Sequence, residues 1–314
     1  MITRRAFLTA TAAFAATNRL FAEEAENGRG IRVRFLGSGA AGWNPETLKA
    51  HPHARRQSSV LLENKVLIDF TRCSFDLLPE GVHPEVLFQT HSHGDHYSPE
   101  AAVKVGVKQV YVQESWAEAA RLEIGEAAKR LALPAPEVVA LPFGKAVEVC
   151  GMRFTGVPAN HSTSRVTNGV LERTSLYLVE KGAARLLYAT DTGGIPGDAA
   201  RMIGIDPHIT GNNEKRFEAN PYVAKPQALT ALIMEATNGI LDEDFRLFVH
   251  SSVQAVDRTV KMLAKNGRFL PPPGQHALLT HLGLRYRNWP SEKIDAELPD
   301  TLRAAHDGLE VVLG

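Results

Sequence analysis

The chain has 314 residues, 44% hydrophobic and 22% charged, an ordinary globular composition that excludes a disordered, collagenous or coiled-coil protein. Lys and Arg number 35 against 35 Asp and Glu, so no overall basic field exists to draw in nucleic acid or an acidic membrane nonspecifically. Two cysteines, Cys73 and Cys150, exclude a disulfide framework or a four-thiolate zinc knot and allow one disulfide at most.

Near its start the chain reads Thr3-Arg4-Arg5-Ala6-Phe7-Leu8, two arginines ahead of a weakly apolar run over 6–16 that is too short to span a bilayer. This resembles a twin-arginine (Tat) export signal over 1–22, with small Ala22 as the cleavage position. The resemblance implies passage through the Tat export machinery, to the periplasm or otherwise out of the cell, as a folded protein, often because a cofactor is loaded first. Cleavage after Ala22 removes Arg4, Arg5 and Arg19 and no acid, leaving 32 basic against 35 acidic residues, a net charge of −3. No other segment reaches 18 consecutive apolar residues.

After a linker over 23–30, short strands alternate with helices. The β-rich runs 31–36, 59–62, 66–70 and 86–89 are separated by turn residues, and the last is apolar enough to be buried. Trp116, Ala120, Ile124, Ala127 and Leu131 share one helical face that would pack on this sheet. Runs 146–149 and 152–157 meet through Cys150-Gly151 as a hairpin, and 175–179 and 184–189 meet across Lys181-Gly182 as another, so the sheet is mixed. Val253, Val256, Val260 and Leu263 form a second helical stripe ended by Asn266-Gly267, and a strand over 277–280 follows the Pro271-Pro272-Pro273-Gly274 breaker. With no repeat and no long Gly or Ser linker, 31–314 reads as one α/β domain of helices layered on mixed sheets. Gly37-Ser38-Gly39 lacks the third glycine of a nucleotide loop and reads as a tight turn, and Trp43 and Pro45 read as packing against the sheet edge.

Directly after the run 86–89 comes Thr90-His91-Ser92-His93-Gly94-Asp95-His96, an HxHxDH pattern, and then Ser98-Pro99, which can cap and start a helix. Imidazoles at i and i+2 of an extended segment project to one side. Asp95 and His96 can turn back at Gly94, offering nitrogen and oxygen ligands to two adjacent ions. A solvated His-rich loop does not account for such a cluster behind a buried strand, where uncompensated polar groups are costly.

With this motif the chain resembles the metallo-β-lactamase superfamily. That resemblance covers nearly all of 31–314 and implies an αββα sandwich, two mixed β-sheets flanked by helices, with a dinuclear metal site at the sheet edge. The family pattern then wants a lone histidine after a strand, an acid after the next strand pair and a late histidine. Asn160-His161-Ser162, Thr190-Asp191-Thr192-Gly193 and Thr280-His281-Leu282-Gly283 supply them in that order. The resemblance implies His91, His93 and His161 on one metal, Asp95, His96 and His281 on the other, and Asp191 bridging. Two divalent ions, two carboxylates and a bridging hydroxide sum to about +1, which favours a small anionic substrate and hydrolysis with that hydroxide as nucleophile. Zinc suits this mixture of imidazole and carboxylate, and manganese or iron accepts the same ligands.

Met234-Glu235-Ala236-Thr237, His250-Ser251-Ser252 and Arg285-Tyr286 resemble motifs of the ribonuclease Z-like phosphodiesterase branch. That resemblance implies His250 as proton donor to the leaving alkoxide, oriented by Glu235, with Asp95 catalytic as well as a ligand. Arg285 holds a nonbridging phosphate oxygen or anchors the C-terminal turn. The chain departs from the branch in two respects: 42–56 carries His51 and His53 but no cysteine for a structural zinc, and no long Gly-rich basic arm is apparent. A tRNA substrate is therefore not expected. The expectation is an exported dinuclear phosphodiesterase. The alternatives are a metal-dependent hydrolase of a carbon ester, lactone, thioester or β-lactam, and a non-catalytic metal- or ligand-binding protein.

Overall fold

The computed structural model describes residues 30–314 without 44, 52, 211, 217–219, 221, 243–244 and 287–288; the export signal expected over 1–22, and the linker up to 29, lie outside the described residues. In chain order the strands are β1 (Ile31–Gly37), β2 (Ser59–Leu62), β3 (Val66–Ile68), β4 (Val86–Phe88), β5 (Gln109–Gln113), β6 (Glu137–Leu141) and β7 (Ala146–Val149). Then come β8 (Met152–Thr167), β9 (Val170–Lys181), β10 (Ala184–Ala189), β11 (Ala231–Glu235), β12 (Ala277–Thr280), β13 (Leu302–Ala304) and β14 (Glu310–Leu313). The helices are α1 (Pro45–Ala50), α2 (Pro99–Lys104), α3 (Ala117–Leu131), α4 (Gly197–Met202), α5 (Val253–Lys265) and α6 (Ser291–Glu297).

Two mixed sheets result, with strand orders β14-β1-β2-β3-β4-β5-β6 and β13-β12-β11-β10-β9-β8-β7. Strands β3 to β6 run parallel in the first, and β10 to β13 run parallel in the second. Apolar side chains form three layers. Ile31, Val33, Phe88, Phe154, Tyr177 and Tyr188 fill the space between the sheets. Leu87, Val110, Ala120 and Ile124 seal the outer face of the first sheet under α2 and α3, while Leu187, Met234, Val256 and Leu263 seal that of the second under α4, α5 and α6. The central strands are thus buried on both faces and read as unbroken apolar runs, as in Leu186, Leu187, Tyr188 and Ala189 of β10. This is the expected αββα sandwich. Each buried Val or Leu of the α5 stripe contributes about 1.5–3 kcal/mol.

The sequence expectations differ from the structure where local composition is overridden by pairing. The strand expected over 66–70 ends at Ile68, because Asp69 takes a left-handed conformation (φ 54°) and leaves the ladder. The histidine expected after a strand end lies inside one: β8 continues to Thr167, paired with β9. Pro158 faces Ser175 and Ser162 faces Arg173, so β8 bulges over the intervening residues, where His161 sits. Cys73 and Cys150 are both free thiols. Gly37 is required by close approach, since a Cβ there would lie 1.9 Å from the Gln57 carbonyl oxygen. Trp43 is fully buried and its indole N–H donates to the Leu282 carbonyl (2.9 Å), a packing role.

Candidate metal centre

The carboxyl ends of four parallel strands, and one bulge, deliver the polar side chains to the same edge. Beyond β4 the chain runs through Gln89 and Thr90 into the histidine loop. There the His93 carbonyl accepts the N–H groups of His96 (3.0 Å) and Tyr97 (2.8 Å), folding Asp95 and His96 back. Ser98 then caps α2 by accepting from the Ala101 N–H, with Pro99 in its first turn. Asp191 follows β10 with φ 48° and His281 follows β12 with φ 51°. A non-glycine residue in this region costs about 1–2 kcal/mol, strain held by the surrounding sheet. Glu235 ends β11, and His250 stands before α5.

Asp191 is the hub. Its Oδ2 lies 3.5 Å from His91 Nε2 and 3.6 Å from His161 Nε2, and its Oδ1 lies 3.1 Å from both His96 Nε2 and His281 Nε2. His93 Nδ1 is 3.3 Å from His161 Nε2, and Asp95 Oδ2 is 3.2 Å from His281 Nε2 and 3.3 Å from His96 Nε2. Two ligand sets therefore share Asp191: His91, His93 and His161 on one side, Asp95, His96 and His281 on the other, each within 4.8 Å overall. The sequence-predicted seven are brought together.

The set fits divalent cations on its own chemistry. His91 Nε2 is fully buried, has no hydrogen-bond partner and faces the Asp191 carboxylate, an orphaned lone pair that a cation would satisfy. Spacings near 3.3 Å match the edge of a tetrahedron with metal bonds of about 2.0 Å. Burial, with the neighbouring His96, holds His91 well below the ordinary imidazole range, and burial lowers His93 and His161 as well, so these rings are poised as neutral donors. Burial works against the charge of Asp191 and Asp95, but the surrounding imidazoles outweigh it and hold both well below the usual carboxylate range.

Second partners aim the rings. His96 Nδ1 donates to Asp69 Oδ2 (2.7 Å), whose other oxygen accepts the Thr90 N–H (2.8 Å). His281 Nδ1 meets Thr237 Oγ1 (2.7 Å), His161 Nδ1 donates to the Val249 carbonyl (3.1 Å), and His91 Nδ1 meets Thr90 Oγ1 (3.0 Å). Each leaves Nε2 turned inward. Glu172, from β9, accepts both the N–H (2.7 Å) and the hydroxyl (2.5 Å) of Ser92, pinning the loop between His91 and His93.

Beside the ligands, Glu235 is fully buried and accepts from the Thr192 N–H (2.6 Å) and from His250 Nδ1 (2.9 Å). The His250 ring stacks on His281 with centroids 5.8 Å apart. Burial lowers the His250 pKa, but the hydrogen bond and charge of Glu235 outweigh it, and the imidazole stands above its ordinary value. A cavity of 490 Å³ opens onto His93, Asp95, His161, Asp191, His250 and His281, with Arg246 and Arg285 in its walls. The Arg285 guanidinium also donates to the Asn238 carbonyl (2.6 Å), so it is anchored and at the cavity together. A larger cavity of 870 Å³ lies behind the loop, against Cys73 and Tyr97, and shares only Gly94 with the motif.

Sequence reasoning missed Asp69, Thr90, Glu172, Thr237 and Arg246. An acid closing the apolar run 66–68 was the available signal for Asp69, and Thr237 lies in the segment quoted for Glu235. Glu172 needed the β8–β9 register.

Residues 71–239 match the family model described as the Beta-lactamase superfamily domain. The fold is similar to that of Zn²⁺-bound PqqB from Methylobacterium extorquens (TM-score 0.58, 16% identity, 89% of this chain and 99% of that one). It is likewise similar to the short form of human tRNase Z (TM-score 0.58, 16% identity, 90% and 99%) and to unliganded yeast PDE1 (TM-score 0.50, 10% identity, 90% and 99%). No curated protein sequence matches the chain.

Proposed function

The chain belongs to the metallo-β-lactamase superfamily, and from that premise we propose that it is a dinuclear metal-dependent phosphodiesterase with His250 as proton donor. The observation that carries this reading is the Glu235–His250 pair, 2.9 Å apart, with His250 open to the cavity that both ligand sets line. Without a departing group to protonate, a buried carboxylate charging an imidazole at this place has no task. Departure of an alkoxide from phosphorus gives it one, because an alkoxide leaves poorly without a proton.

His91, His93 and His161 hold one cation, Asp95, His96 and His281 the other, and Asp191 both; zinc is the metal proposed, on the mixture of imidazole and carboxylate donors. When bound, such cations supply Lewis acidity and a water activated at neutral pH. The chain's own residues do the rest. Glu235 fixes the His250 Nδ1–H, which leaves Nε2 to carry the proton that is transferred. Arg285, anchored on Asn238, offers its remaining N–H groups to a nonbridging oxygen. The substrate proposed is a small phosphodiester and not tRNA. We further propose that Arg4 and Arg5 direct the folded protein through the Tat route, leaving 31–314 as the mature hydrolase domain; replacing both with lysine would retain it in the cytoplasm on fractionation.

The test is hydrolysis of bis(p-nitrophenyl) phosphate by protein loaded with zinc or manganese, against a chelated control. Chelator-sensitive turnover is expected. Absence of turnover in protein verified to hold two metals would contradict the reading and direct the search to lactone, thioester and β-lactam substrates.

A further inference from the structure

The segment that leaves β11 and the segment that enters α5 run side by side. The Asn238 N–H donates to the Ser251 carbonyl (3.1 Å), the Val253 N–H to that of Gly239 (2.7 Å) and the Gln254 N–H to that of Ile240 (3.0 Å). These rungs are main-chain groups, which almost any sequence supplies. At the His250 end the two segments are joined by one rung more, and a side chain makes it: Asn238 Nδ2 donates to the carbonyl of His250 itself (2.8 Å). A carbonyl only accepts, so the carboxamide turns its NH2 group to it. Asn238 is 3% exposed and lines the cavity beside His250, so little water competes for this bond.

His250 is thereby gripped twice. Glu235 holds its ring at Nδ1 (2.9 Å) and Asn238 holds its main chain at the carbonyl, and both grips come from the end of β11. A single bond at a ring nitrogen is a pivot; a second on the same residue's main chain fixes the direction in which the ring faces. Arg285 is tied to Asn238 in another way, through the main-chain carbonyl (2.6 Å), a group that survives a change of side chain. We propose that Asn238 is a positioning residue whose carboxamide keeps the His250 imidazole on Glu235 and facing the cavity. What the held ring does rests on the reading of His250 as proton donor; that it is held rests on the hydrogen bonds alone.

Two measurements separate the hold from the task. The first is solvent exchange of the His250 Nδ1–H, read by NMR in zinc-loaded protein and assigned by its absence in His250→Ala. Asn238→Ala, and Asn238→Leu, which fills the same space without a donor, should each exchange that proton about tenfold faster than the wild type, as loss of one buried hydrogen bond allows. A rate within about twofold of the wild type in both variants, at unchanged metal content, would overturn the proposal whatever His250 does in turnover. The second is steady-state kinetics. With an alkyl phosphodiester both variants should lose about tenfold in kcat while KM stays within about twofold, because Arg285 keeps its anchor; with bis(p-nitrophenyl) phosphate, whose leaving group needs little protonation, the loss should be slight. A general loosening of the site would move KM and metal content and cost every leaving group alike, and that pattern would overturn the proposal. Faster exchange in the variants, with equal losses for every leaving group in His250→Ala, would leave the hold standing and contradict the reading of His250 as proton donor.

Discussion

The two halves of the metal centre are built differently. Asp95, His96 and His281 are all buried, and His96 and His281 are steadied by side chains rooted in the sheets, Asp69 beyond β3 and Thr237 beyond β11. In the other half His91 is fully buried and His93 half-buried; His161 rides a strand bulge and is steadied by a backbone carbonyl of the His250 loop, at Val249. In the first half His281 follows β12 directly, while Asp95 and His96 share with His91 and His93 the loop that leaves β4. The second adds the β8 bulge that carries His161, and both halves reach the cavity, Asp95 and His281 from one and His93 and His161 from the other. The halves thus differ in how their side chains are steadied, not in their access to the cavity.

Removing the hub should collapse this distinction. Asp191→Ala takes the shared carboxylate from both halves, and kcat/KM should fall by about four orders of magnitude with loss of both metals, read by elemental analysis and steady-state kinetics. His93→Ala should instead separate the halves: one metal per chain after dialysis in place of two, with activity down by about two to three orders of magnitude. Equal loss of both metals in that variant would show that the halves are a single unit. A subtler break is Asp69→Ala, which leaves every ligand in place but frees the His96 ring. Affinity at the half that holds His96 should drop about 10- to 100-fold in competition with a chromophoric chelator, with a smaller loss at the other half, where Thr90 links Asp69 to His91.

The smallest expected effect is a displacement along the pH axis. Burial lowers His250, but Glu235 outweighs it and holds the imidazole above its ordinary value. The protonated donor is present below that pKa and is lost as pH rises through it, so the alkaline limb of kcat/KM reports it. Glu235→Gln removes the charge that raises it, and the limb should move to lower pH with metal content unchanged. A limb that stays in place would assign it to another group.

What was legible in the sequence follows this same division. His91, His93, Asp95 and His96 are contiguous, and Asp191 and His281 each close an apolar run, so periodicity alone shows where the strand ends and the polar chemistry begins. His161 was legible as a residue but not as a place, because the polar stretch 160–167 reads as a loop until β9 pairs with it. The supports of the buried half were illegible for a different reason. Asp69 serves His96 only because β3 lies parallel beside β4, a fact of sheet order that no local pattern carries. The closing strands β13 and β14, of 3 and 4 residues, are likewise defined by their partners β12 and β1. Arg246 lay in no quoted motif, and only the turn that joins it to His250 brings it to the cavity.

The central claim is that His250 delivers a proton to a departing alkoxide from phosphorus. It is tested most directly by the dependence of kcat/KM on leaving-group pKa, measured across a series of aryl and alkyl phosphodiesters for the wild type and for His250→Ala at equal metal content. The account predicts a shallow dependence in the wild type and a steep one in the variant. The loss should be slight for p-nitrophenolate and should grow to about 10²–10⁴-fold for an alkoxide. Parallel dependences, with the same loss for every leaving group, would contradict it and leave His250 a structural neighbour of the centre.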